Sequence, residues 1–252
     1  MNSADFQANT PYAQLGTLVV DAPAEARTSF IRRTYVHLMA AIYGLVALEF
    51  LYFTALGPQL DNWVPNLFSQ RCGWLALFGG YMVVSKIAES WARSDASIGK
   101  QYFGLVTYVF AFSVILCPML WIANFYTTQV GSTEFPAIAV AAVITLAVFG
   151  VLTATVFLTG KDFSFLGPIL GIAGLVLFGV MLLAMFGLFN LGTGFAMILV
   201  VFAAGAILYD TSNVMHHYRT EQHVAAALAL FASVGLLFWY ILQIVISLSS
   251  RR

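Results

Sequence analysis

Uninterrupted apolar stretches recur from Tyr35 to the end of the chain, set apart by short polar joints. They do not alternate apolar with polar positions, so they predict helices rather than barrel strands. Seven such segments fall at 34–56, 73–92, 101–125, 135–158, 164–187, 192–215 and 223–249. A hydrocarbon core of about 30 Å takes about 20 helical residues to cross, so each segment is long enough to span with some tilt. The pattern predicts an all-α membrane protein, a bundle of seven transmembrane helices with short connections. Residues 1–28 read as a polar, loosely ordered tail and residues 29–252 as one transmembrane domain. There is no internal repeat.

Composition agrees. The 252 residues are 61% hydrophobic and 9% charged, against about 25% charged in soluble domains. The opening stretch "MNSADFQANTPYAQLGTLVVDAPAEA" has no basic start and no apolar centre, so it is not expected to be a cleaved signal peptide. Eleven basic and eleven acidic residues leave no net charge, and no global field draws nucleic acid. The expected surroundings are a lipid bilayer.

The placement of Lys and Arg sets the orientation. Arg27, Arg32 and Arg33 precede the first segment, and Lys86, Arg93 and Lys100 lie about the second junction. Lys161 and Arg219 fall in two further joints on the same side, whereas only Arg71, Arg251 and Arg252 fall on the other. A cytoplasmic N-terminus is the expectation. Seven spans then put the C-terminus outside. The terminal arginine pair runs against that, and a last helix that stops short of crossing would resolve it.

Ionisable residues inside spans are costly and each is a functional candidate. Asp210, in "ILYDTSNV", lies about two turns before the end of the sixth segment. The sixth and seventh segments make a hairpin centred near Glu221 and Gln222. Positions equidistant from that centre lie at one depth, which sets Ser233 opposite Asp210. Lys86, Glu89 and Arg93 in "SKIAESWAR" share one helical face. Lys86 comes to about the depth of Asp210 and either pairs with it inside the bundle or extends to the headgroups. Glu49, in "LVALEFLYF", is deeper, with apolar flanks on both sides. It is read as a proton or cation site, or as a hydrogen-bonding contact between helices.

The remaining candidates carry less chemistry. Adjacent residues His216 and His217 point in different directions on a helix and make a poor metal pair. With His223 and His37 they either answer to pH or are ordinary surface residues. Cys72 and Cys117 have no metal spacing and read as buried thiols. Pro118 is expected to kink the third segment, and Pro168 falls where a helix start tolerates proline. There is no phosphate-binding glycine loop, no GxSxG and no HExxH. No enzyme activity, catalytic residue or metal centre is expected.

Four stretches occur in a familiar order: "FIRRTYVHLMAAIYGL", "YVFAFSVILCPMLWIANFY", "LTGKDFSFLGPIL" and "ILYDTSNV". On these the chain resembles the Bax inhibitor-1 family, bacterial type, over nearly all of residues 28–249. The resemblance implies six helices around a central, mainly apolar seventh, in a multi-pass protein of the cell inner membrane. It implies a pH-sensitive calcium leak channel linked to protection from death or stress. Bacterial relatives are also linked to modulation of a membrane protease. In such relatives two aspartates, on the sixth and seventh helices, sense pH and calcium, held by a basic residue of the second helix. Asp210 matches the first aspartate. Ser233 stands at the second, Leu236 stands where the family tends to have asparagine, and Lys86 or Arg93 matches the base.

The serine changes the expectation. Two carboxylates sharing a proton titrate as a coupled pair, and one carboxylate beside a hydroxyl does not. Calcium also takes six to eight oxygen ligands, so any calcium bound here is held weakly. Two readings stay open. One is a cation leak with an incomplete sensor. The other is a non-transporting accessory subunit of a larger membrane complex, such as a protease or respiratory assembly.

Overall fold

A computed structural model describes residues 17–94, 97–129, 136–188 and 191–249. The side chains of residues 71, 72, 126–129 and 185 lie outside this description, as do Arg251 and Arg252. The expectations for Cys72 and Arg71 and for the first sixteen residues of the tail therefore fall outside it too. Eight helices follow in order among the described residues: α1 (Ala24–Ala55), α2 (Gly57–Ser69), α3 (Arg71–Ala92), α4 (Ile98–Gln129), α5 (Ala137–Thr159), α6 (Leu166–Met185), α7 (Thr193–His216) and α8 (His223–Ser249).

Six of them, α1 and α4 to α8, are long and apolar enough to cross a membrane. The second predicted segment forms α3. Its 22 residues rise about 33 Å at 1.5 Å each, but Lys86 and Glu89 near its end make it too polar to join the six. Helix α2 was not expected at all. It buries only Leu60 and Val64, four residues apart on one face, and is anchored where Trp121 Nε1–H on α4 donates to Asp61 Oδ1 at 2.9 Å.

Helix α8 lies inside the bundle and packs against α1, α3, α4, α5 and α7. Helix α4 is enclosed as well, whereas α6 packs chiefly on α7 and leaves its apolar side open. The expected ring of six around the last helix is not what packs here: among the described residues five helices lie against α8, and α6 joins the bundle chiefly through α7. The apolar character that marks a span does not say whether lipid or protein covers it. The interior joins α4 to α8 through aromatic rings. Phe231 meets Phe112 and Tyr108 edge-on, with ring centres 5.7 and 6.1 Å apart. Gly235 lets Phe112 in, since a Cβ there would lie 2.7 Å from Phe112 Cζ. Gly104 brings α4 against α3, since a Cβ there would lie 2.6 Å from both Ala88 O and Ala92 N. Small residues allow such close helix approach.

Two local features shape the end of the bundle that holds the α5–α6 and α7–α8 joints. Helix α5 stops at Gly160, whose φ of 59° is left-handed and whose N–H caps Val156 O at 2.9 Å; glycine takes this conformation without steric cost. The chain then turns through Lys161–Ser164 into α6. The second feature is the stretch before α1. Val19 is fully buried. Its N–H donates to Tyr218 O at 2.9 Å, and Thr220 N–H donates to Thr17 O at 3.2 Å, across a bridge of Leu18 with Arg219. Helix α4 runs on through Pro118, which has no N–H to offer Val114 O.

Candidate functional site

Asp210 sits on the side of α7 that faces α8, followed in sequence by the fully buried Thr211 and Ser212. Ser233 Oγ–H on α8 donates to Asp210 Oδ2. The hairpin does set these two residues level. Ser233 is buried, at 6% exposure, so its hydroxyl has little access to water. The bond satisfies a carboxylate that would otherwise be costly among apolar neighbours.

Asp210 opens onto a polar cavity of about 390 Å³ lined also by Arg93, Ser164, Tyr209, Asn213, His217, Tyr218 and Gln222. Burial pushes the Tyr218 hydroxyl up to about 12, so it stays a protonated donor in that wall. Arg93, at the end of α3, is the cation of this cavity. Lys86 is not. Its Nζ pairs with Glu89 Oε2 at 3.1 Å and its side chain is 74% exposed, so the Lys86–Asp210 pair is not formed. The two cations are seven residues apart, about 10 Å along the helix, and of the two Arg93 lines the cavity with Asp210. Arg93 faces Asp210 without closing an ion pair. The ion pairs among the described residues are Lys86–Glu89 and His217–Asp162.

Asp162, in the "GKDFSF" turn, is a site residue that the sequence pattern does not mark. Its Oδ1 accepts from Ser164 N–H at 2.8 Å and from Ser212 Oγ–H at 3.1 Å, and its Oδ2 meets His217 Nε2 at 3.1 Å. Ser212 Oγ in turn accepts from Phe163 N–H at 2.8 Å. The turn is thereby tied to the last turns of α7. These donors, the Ser164 N–H foremost, hold the Asp162 carboxyl down at about 2. The signal was present in the motif, but an exposed loop has no periodicity to mark its roles.

The other candidates lie elsewhere. His216 Nδ1 lies 3.0 Å from Ser212 O, on its own helix. His37 lies between Arg33 O and Tyr102 Oη, at 2.6 and 2.8 Å, and its ring is 5.0 Å from that of His223. Cys117 is buried and free. Glu49 is buried apart from this cavity, beside an apolar one. Among the described residues no three His, Cys, Asp or Glu side chains come together to hold a metal ion.

The chain compares with known proteins as follows. Residues 27–251 match the family model described as Inhibitor of apoptosis-promoting Bax1. A BI1-like protein of Arabidopsis thaliana is 34% identical over 141 residues, 52% of this chain and 54% of that protein. Bax inhibitor 1 of Schizosaccharomyces pombe is 28% identical over 237 residues, 90% of this chain and 80% of that one. An uncharacterized protein of Pseudomonas aeruginosa is 30% identical over 211 residues, 80% of this chain and 85% of that one. The match covers α1 to α8 with the Asp210 cavity inside it, and the chain belongs to the Bax inhibitor-1 family of membrane proteins.

Proposed function

We propose that the protein is a cation leak pathway, calcium being the foremost cargo, controlled by pH at the Asp210 cavity. The observation that carries this reading is the hydrogen bond from Ser233 to Asp210 at the base of a polar cavity in an otherwise apolar bundle. The bond fastens α7 to α8. A cation entering the cavity competes with Ser233 and Arg93 for the one carboxylate. One carboxylate and a few hydroxyl and amide oxygens fall short of a closed calcium shell. Such a site releases what it takes up, as conduction requires.

The second carboxylate of the region comes from the α5–α6 turn and not from α8. Asp162 binds His217 at the rim, and opening the cavity separates that pair. The reading places the N-terminus and this cavity on the cytoplasmic side of the cell inner membrane, with α3 as the seventh span. It assigns ion passage and no catalytic step, and it makes stress protection a consequence of cation balance.

The test is calcium flux into liposomes that hold the purified protein, at pH 6, 7 and 8, for the wild type and Ser233→Asp. The reading expects a leak in the wild type and a steeper pH response in the variant, which restores the paired carboxylates. A silent wild type and a silent variant would sink it.

A further inference from the structure

Glu49 takes no part in the Asp210 cavity. It is 7% exposed, and neither of its carboxylate oxygens has a hydrogen-bond partner. It lines a cavity of about 500 Å³ formed by α1, α4, α5 and α8, within the range of small-molecule sites. The walls are mostly apolar, with Leu116, Ile138 and Phe231 among them; Asn124 adds an uncharged amide, and no Lys, Arg or His contributes. The nearby polar groups are engaged elsewhere. Thr145 Oγ1–H donates to Ala141 O on its own helix at 2.7 Å, and the Tyr52 hydroxyl is bonded to Ser113 Oγ at 3.2 Å. On the rim, Val46, Phe50 and Leu146 are exposed. In a membrane these side chains face acyl chains, so the mouth between α1 and α5 opens sideways into lipid.

A buried acid with no partner costs free energy in either protonation state. What the cavity lacks is a cation carrying two or more donors, on an apolar body that fills the remaining space. An ammonium group has three donors and no acceptor, and can meet both oxygens at once. An alcohol meets only one and leaves the charge uncompensated. A fatty acid sets a like charge against Glu49. We infer that this cavity is a binding site for a lipophilic primary amine, drawn from the bilayer with its ammonium on Glu49 and its alkyl chain among the apolar residues of α1, α4, α5 and α8. The inference stands apart from the leak at Asp210.

The test uses the full chain in lipid nanodiscs with radiolabelled dodecylamine, and empty discs supply the partition baseline. The expected result is one saturable site per protein. Glu49→Gln weakens it at least tenfold, and unlabelled dodecanol does not compete. Ala142→Phe, which fills the cavity and keeps the acid, abolishes the saturable fraction as well. Glu49→Gln removes no hydrogen bond from the fold, so loss of binding in that variant is not loss of structure. Undiminished binding in Glu49→Gln, equal competition by dodecanol, or no saturable fraction in the wild type overturns the inference.

Discussion

Ser233 on α8 donates its hydroxyl to Asp210 on α7, and the two belong to the arms of one hairpin, each eleven residues from the nearer of its two central residues, Gln222 and Glu221. A hydrogen bond to a carboxylate contributes about 1.5–3 kcal/mol, and a buried acceptor left unpaired costs a similar amount. Ser233→Ala is expected to destabilise the protein by about 2 kcal/mol, read as a lower unfolding temperature in detergent. A loss no larger than that of a serine-to-alanine change at an exposed site such as Ser90 would mean the bond contributes little.

Acid should loosen the α5–α6 turn. The Asp162 carboxyl is lowered from 3.8 to about 2 in the folded protein. A lowered acid adds stability that is complete above its unfolded value and is lost as pH falls through the folded one. The contribution from Asp162 is therefore present above about pH 4 and disappears toward pH 2. Its side chain is 45% exposed, so water screens the effect and it stays small. The unfolding temperature of Asp162→Asn should fall less steeply than that of the wild type between pH 4 and pH 2. Parallel curves would remove Asp162 from the account.

The α3–α4 contact depends on Gly104, because the atoms a Cβ would meet at 2.6 Å are backbone and cannot rotate aside. Gly104→Ala is expected to cost about 1–3 kcal/mol through overpacking. Gly171, with open space where its Cβ would be, provides the control, and Gly171→Ala should leave the unfolding temperature unchanged or slightly raised. Equal behaviour of the two variants would contradict the close approach.

Glu49 is retained at a cost to the unliganded protein. Glu49→Leu, measured in detergent without added amine, should raise stability by about 1–3 kcal/mol, since it removes two unpaired buried oxygens. A drop in unfolding temperature would mean that the carboxyl has a partner that stabilises the fold.

Part of this fold is legible in the sequence. Six of the seven expected spans follow from apolar length, and the level pairing of Asp210 with Ser233 follows from folding a hairpin on its loop, since both helices run without interruption. The cation was harder to place. Lys86 and Arg93 share a face, and their difference in depth depends on where α3 ends, at Ala92, which propensity does not fix. Helix α2 contains Pro58 and Pro65 and reads as a joint. Asp162 and the Val19–Tyr218 contact join distant stretches through loops, where no period betrays a partner. Glu49 was visible as a charge in a span, but the cavity beside it arises only when four helices are assembled.

Calcium flux into liposomes holding wild-type protein or Asp210→Asn, compared at pH 6, 7 and 8, addresses the central claim most directly. The account predicts a wild-type leak that changes with pH and an Asp210→Asn leak that does not, with both above the rate of empty liposomes. A wild type no leakier than empty liposomes, or a pH response that survives in Asp210→Asn, would contradict it.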